Sequence, residues 1–178
     1  MENKEPMEIK EPNRVILSGK GILTATRKGT RKFKDGKLVD PGEVVAQIET
    51  PNIICNEGLI LMAGFAIDES AVYDVGITYC EIGTNNTAPA AGDTSLTAFY
   101  HRNPITSRTR TDYADTLATF FTAAESTAFI KEAGCWGGSN AAAGEATGLL
   151  FAHWLASFDN SLGVYDITIT YILTIARG

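Results

Sequence analysis

The sequence predicts a mainly β protein: an antiparallel β-sandwich of jelly-roll-like kind, with one short helix and an N-terminal arm. Three observations carry this. Near the C-terminus, Ile167, Ile169, Tyr171, Leu173 and Ile175 alternate with Asp166, Thr168, Thr170 and Thr174, the period of two of a strand with one face on a core. Several further short runs rich in β-branched and aromatic residues are separated by Gly, Pro, Asn and Asp punctuation. The best segment with helical spacing is 56–66. Many strands with few helices build a sandwich.

Residues 1–13 alternate charges and carry Pro6 and Pro12, a composition that buries too little apolar surface to offset its ordering entropy. They are read as an assembly arm, with Glu2, Lys4, Lys10 and, at its junction, Arg14 as its charged contacts. Residues 14–50 read as an N-terminal β segment. In it, 14–27 form a strand with a bulge, or two short strands, interrupted by Gly19 and Gly21. Asp35-Gly36 and Asp40-Pro41-Gly42 mark turns, and Val44, Ala46 and Ile48 share a face. Residues 51–178 read as the sandwich domain. Its helix starts with Asn56 as cap and repeats Leu59, Met62, Ala63 and Ala66, while Ile60 and Leu61 broaden the stripe. So broad a stripe predicts cover on more than one side. A strand over 75–82, a polar loop over 83–93 and a hairpin of 104–112 with 115–123 follow. The stretches 128–131 and 148–155, on either side of a Gly/Ala/Ser loop, are short and ambiguous in type.

Apolar residues at 44% and charged residues at 20% fit an ordinary globular fold. The apolar run 59–67 falls far short of the ~20 residues of a membrane span, and the N-terminus lacks the basic-then-apolar order of a secretory signal. Synthesis and folding in the cytoplasm are therefore expected, with no membrane partner. The net charge of −6 is uneven: residues 1–40 carry +4 and the remainder −10. A basic leading segment and an acidic body suit docking between copies, and so a homo-oligomer, or equally a merely solvated face. The basic residues lack interleaved aromatics and match no common nucleic-acid motif, which argues against a nucleic-acid partner. Cys55, Cys80 and Cys135 are too few and scattered for a disulfide framework and read as buried thiols.

Reactive constellations are sparse. His101, read as an exposed loop residue, and His153, read as a packed strand residue, have no Cys or carboxylate at a zinc-ligand spacing. No phosphate loop, dinucleotide fingerprint or nucleophile-elbow motif is present. Glu81, Asp93, Glu132 and Glu145 could supply a glycosidase pair only if two of them met at the right separation. The expectation is no catalytic residue, no cofactor and no metal.

The segment YCEIGTNNTAPAAGDTSL at 79–96 resembles a pattern of phage tail-collar fibre proteins, in which a strand ends in I-G-x-G-x-T-A-P-A-x-G-D-T-x-L. A basic segment, 101–107, follows as in that family. IKEAGCW at 130–136 is similar to its I-x-E-x-G-L-F element, TGLLFA at 147–152 to its G-x-L-L-A-R strand, and NIICNEGL at 52–59 to its lead-in. Asn86 stands where Gly is usual, Cys135-Trp136 replaces Leu-Phe, and the loop over 137–145 is longer. The resemblance implies a virion protein of a tailed bacteriophage, in its tail, neck or collar, partnered by other virion proteins. In the 83–93 loop, Gly83 and Gly92 can take positive φ, Pro89 stiffens the chain, and Asp93 can bond the amides near 94–95. Glu132 before Gly134 is read as holding a similar buried turn. A capsid decoration protein fits the same features. A carbohydrate-binding host-recognition module would need exposed aromatics, for which Trp136 and Tyr73 are the candidates.

Overall fold

A computed structural model describes residues 15–145 and 147–177. The arm contacts Glu2, Lys4, Lys10 and Arg14 lie outside the described residues. In chain order the elements are β1 (Val15–Arg27), β2 (Lys32–Lys34), β3 (Lys37–Asp40), β4 (Val44–Pro51), β5 (Ile53–Ile54), α1 (Asn56–Ala66), β6 (Ile77–Gly83), β7 (Phe99–Pro104), β8 (Ser107–Thr111), β9 (Ala114–Phe121), β10 (Phe129–Gly137), β11 (Leu149–Asp159) and β12 (Tyr165–Arg177). The protein is mainly β, a sandwich of two five-stranded sheets, and α1 is the α-helix among the described residues. The first sheet runs β4-β1-β12-β9-β8 and the second β5-β11-β10-β6-β7, with a separate β2-β3 hairpin. The strand pairs are antiparallel.

Strand alternation explains the first sheet. In β12, Ile167, Ile169, Tyr171 and Leu173 are buried and their neighbours half-exposed, as the Thr-rich alternation predicts. On β1 the inward positions include Gly19 and Gly21. A Cβ on Gly21 would overlap the Trp154 ring, and one on Gly19 would stand 2.7 Å from the Tyr171 hydroxyl. Those glycines let the Trp154–Tyr171 stack, with centroids 5.6 Å apart, lie flat against the strand. The chain through Gly19 and Gly21 is thus one continuous strand; its irregularity is a register shift against β4 between Ala25 and Thr26. Residues 14–50 do not form a separate unit either, since β1 sits between β4 and β12 within the sandwich. Only the β2-β3 hairpin stands apart, turning through Asp35 and Gly36, both with positive φ.

Helix α1 spans the predicted residues but presents a different face. Gly58, Leu61 and Gly64 are its buried residues, whereas Leu59, Ile60 and Phe65 are exposed. Gly58 packs on the Phe151 backbone and Gly64 on the Tyr73 ring. Among the described residues α1 is covered on one side and not on several, and the small residues Gly58 and Gly64 make the close approach there. Its N-cap is Cys55 and not Asn56, and no side chain caps it; the Asn56 amide instead donates to the Ala91 carbonyl, at 2.8 Å. None of the described helices is long and apolar enough to cross a membrane.

The second sheet is buried on two faces. From Glu132 to Gly137 on β10, and from Leu150 to Trp154 on β11, each residue is buried. One set, including Cys80, Ile82, Ala133, Cys135, Ala152 and Trp154, faces the first sheet. The other set is covered by the 84–98 loop and the described residues of the 138–148 loop, while α1 packs Leu61 into the core between the sheets. Burial on both faces removes the alternation of a half-exposed strand, so stretches that seemed short and ambiguous are long central strands.

Candidate functional site

Among the described residues, the outer face of the second sheet carries the buried charged side chains Glu81, Arg102, Glu132 and His153. Register places Arg102, Glu81, Gly134 and His153 in one cross-strand row over β7, β6, β10 and β11. Such charges are stable away from water only when paired and hydrogen-bonded. Two clusters meet that condition, and each holds down one covering loop.

The first cluster centres on His153. Its Nδ1 stands 2.8 Å from Asp93 Oδ2 and its Nε2 3.0 Å from Glu132 Oε2. A neutral imidazole has a single N–H, so satisfying both carboxylates requires the doubly protonated ring. Burial disfavours the charged ring, but hydrogen bonds to Glu132 and Asp93 outweigh it and hold its pKa above the ordinary value. Glu132 also accepts the backbone amides of Ala98 at 2.8 Å, Thr97 at 3.1 Å and Asn85 at 3.3 Å. Burial pushes its pKa up, yet His153 and the amides of Ala98 and Thr97 more than reverse the effect and leave it lowered. Asp93 accepts the Ala90 amide at 2.8 Å. It thus bonds back toward Ala90 and across to His153, not forward to 94–95 as its position had suggested.

The glycines of this site act by closeness. Gly83 and Gly92 are not among the positive-φ residues. A Cβ on Gly83 would stand 2.5 Å from the Ala98 carbonyl and 2.7 Å from Glu132 Oε1, so the position excludes any side chain. Nothing crowds Gly92. Pro89, half-buried, precedes the turn closed by the Asp93 amide on the Ala90 carbonyl, at 3.1 Å. Gly134 leaves a gap in the middle of the charged row, where an added Cβ would stand 3.0 Å from Leu96 Cδ2. Leu96, buried, is the loop's plug over that gap.

The second cluster is Arg102 with Glu81. Arg102 Nε donates to Glu81 Oε2 at 2.6 Å, Nη2 contacts the same carboxylate, and the guanidinium lies 4.0 Å from the Trp136 ring centroid. Nη1 donates to the carbonyls of Ala142 at 3.1 Å and Thr147 at 2.9 Å. That fastens the 138–148 loop as His153 fastens the 84–98 loop. Burial, opposed by Arg102, pushes the Glu81 carboxyl up to about 7.

The arrangement therefore unites Gly83, Asp93, Glu132 and Gly134 from the predicted set, with Pro89 and Gly92 in the same loop. Two partners, Arg102 and the His153 link, were not legible. Arg102 lay inside a basic segment, and nothing in the sequence aligns it with Glu81. His101 is on strand β7, half-buried and edge-on to Phe121, not in an exposed loop. Trp136 is buried and Tyr73 lies against Gly64, so neither offers a free aromatic platform. Of the four carboxylates considered for glycosidase chemistry, Glu81 and Glu132 are buried in these bonds. Among the described residues, no group of three or more His, Cys, Asp or Glu is placed to hold a metal ion. No family model, curated protein or solved structure matches this chain.

Proposed function

We propose that the chain is a structural component of a tailed-bacteriophage particle, in the tail, neck or collar, that acts by protein-protein assembly and is not an enzyme. One observation carries the reading. The stretches that resemble the collar-fibre pattern, 79–96 and 130–136, are far apart in sequence but interlock at one buried site. The first supplies Glu81, Gly83, Asp93 and Leu96 and the second Glu132 and Gly134, while 147–152 leads directly into His153. Interlocking residues support reading the pattern as one structural unit. Their polar atoms are engaged in holding loops, which favours a scaffold over a reacting centre.

Mapping the protein on purified particles tests this. Tens of copies or fewer, at the tail or neck, are expected; hundreds spread over the shell would instead make it a decoration protein. The purified protein is expected to hydrolyse neither polysaccharide nor peptidoglycan. Turnover abolished by Glu132→Gln or Glu81→Gln would overturn the proposal.

A further inference from the structure

The three thiols lie far apart in the sequence, and the fold sorts them into a pair and a single one. Cys80 on β6 and Cys135 on β10 stand directly opposite each other in the antiparallel register. They lie one residue along their strands from Glu81 and Gly134 of the charged row, and so on the opposite, inner face of the sheet. Each is 1% exposed and belongs to the core between the sheets. Cys55 belongs instead to a separate cluster with Trp136 and Leu150. Trp136 follows Cys135 and points to the other face, so the second sheet stands between Cys55 and the pair.

The hydrogen-bond ladder decides how near the paired thiols come. The Ile105 amide donates to the Thr78 carbonyl at 2.8 Å, so Thr78 and, two residues on, Cys80 turn their backbone groups toward β7. Pro104, which has no amide to give, stands opposite the intervening Tyr79. Cys80 therefore sends no backbone hydrogen bond toward β10. Its rung with Cys135 is of the non-hydrogen-bonded kind, with Cα atoms about 4.5 Å apart and side chains at their closest. A disulfide spans Cα separations of roughly 4.4–6.8 Å. On its other side Cys135 faces Ala152, whose side chain is a single methyl group. Burial and a hydrogen bond with the Cys80 thiol hold the Cys135 pKa well above its ordinary value. The closed core thus favours the thiol over the reactive thiolate.

We propose that Cys80 and Cys135 are a redox pair that an oxidising medium closes to a cross-strand disulfide, stapling β6 to β10. The oxidant is a low-molecular-weight disulfide, met while the core is open. One thiolate of the pair attacks it, forming a mixed disulfide and releasing one small thiol. The second thiolate attacks the protein sulfur of that mixed disulfide, forming the bond between Cys80 and Cys135 and releasing the other small thiol. The two cysteine protons pass to the two released thiolates; the protein gives up two electrons and the oxidant takes them. A reducing cytoplasm keeps the pair as thiols. The loop so closed contains β7, β8 and β9, and cross-linking its ends constrains the unfolded chain, which for a chain of this size raises Tm by about 4–16 °C. The inference goes beyond the assembly reading and does not depend on it.

Refolding the full chain from urea in a mixture of oxidised and reduced glutathione tests the pair, because unfolding gives the oxidant access. Free thiols are then alkylated in denaturant and the peptides mapped by mass spectrometry. The expected result is a linked pair of peptides containing Cys80 and Cys135, with Cys55 alkylated. Tm should stand about 4–16 °C above that of the reduced protein and return on adding dithiothreitol. The wild type carries this test without any substitution. Cys135→Ala, treated alike, should show no rise in Tm, and Cys55→Ala should keep it. Recovery of Cys80 and Cys135 both alkylated would overturn the proposal. So would linkage of either to Cys55 or to a second chain, a linked pair that melts no higher than the reduced form, or an equal rise in Cys135→Ala.

Discussion

Replacing Glu132 with Ala removes the acceptor of the His153 N–H at 3.0 Å and of the Ala98 and Thr97 amides at 2.8 and 3.1 Å. It also removes the weaker contact to the Asn85 amide at 3.3 Å. A buried donor left without an acceptor costs about 1–3 kcal/mol, but these donors share one cavity that water can partly fill, so their costs do not add. Breaking one partner of a buried charged pair costs about 3–5 kcal/mol, which sets the expected loss. For a chain of this length each kcal/mol lowers Tm by about 2–4 °C, so melting should fall by roughly 6–20 °C. Glu132→Gln keeps the volume but presents an NH2 group to sites that are themselves N–H donors, and should lose at least half as much. Calorimetry gives the global effect, and hydrogen exchange at Thr97 and Ala98 gives the local one. Melting within about 2 °C of wild type, with exchange protection retained at those amides, would refute the claim that Glu132 holds the loop.

Three further outcomes follow from the same packing. The folded pKa of His153 is raised, so its stabilising contribution is complete below the ordinary value of 6.5 and is lost as pH rises through the raised one. Urea midpoints should therefore fall between pH 6 and pH 9 in the wild type, and the fall should shrink in His153→Gln; equal slopes would contradict the imidazolium assignment. Arg102→Met should cost about 3–5 kcal/mol by stranding Glu81, while adding Glu81→Leu should recover most of it; a double variant no better than the single one would deny the pairing. Cys55, Cys80 and Cys135 are free and buried, and burial pushes the Cys55 thiol up to about 12. A thiol reagent should label all three slowly in native protein and quickly in urea; fast native labelling would show that the core opens.

What the sequence by itself determined is the part of the molecule with one wet face. The alternation in β12, the Asp35-Gly36 turn and the helical spacing of 56–66 are local signals, set by neighbours a few residues away. Gly83 and Asp93 stand out as the ends of the 83–93 loop, but Glu132 and Gly134, read from the sequence as a buried turn, lie inside the central strand β10. Tertiary structure alone decided the rest. β10 and β11 hide their period because loops bury the face that would otherwise be polar, and α1 turns inward on Gly58 and Gly64, residues that no count of apolar side chains detects. The pairings of Glu81 with Arg102 and of His153 with Asp93 and Glu132 join residues 21 to 60 positions apart. Their partners are chosen by strand register across four strands, and register depends on the closure of the whole sheet, to which no single segment holds the information.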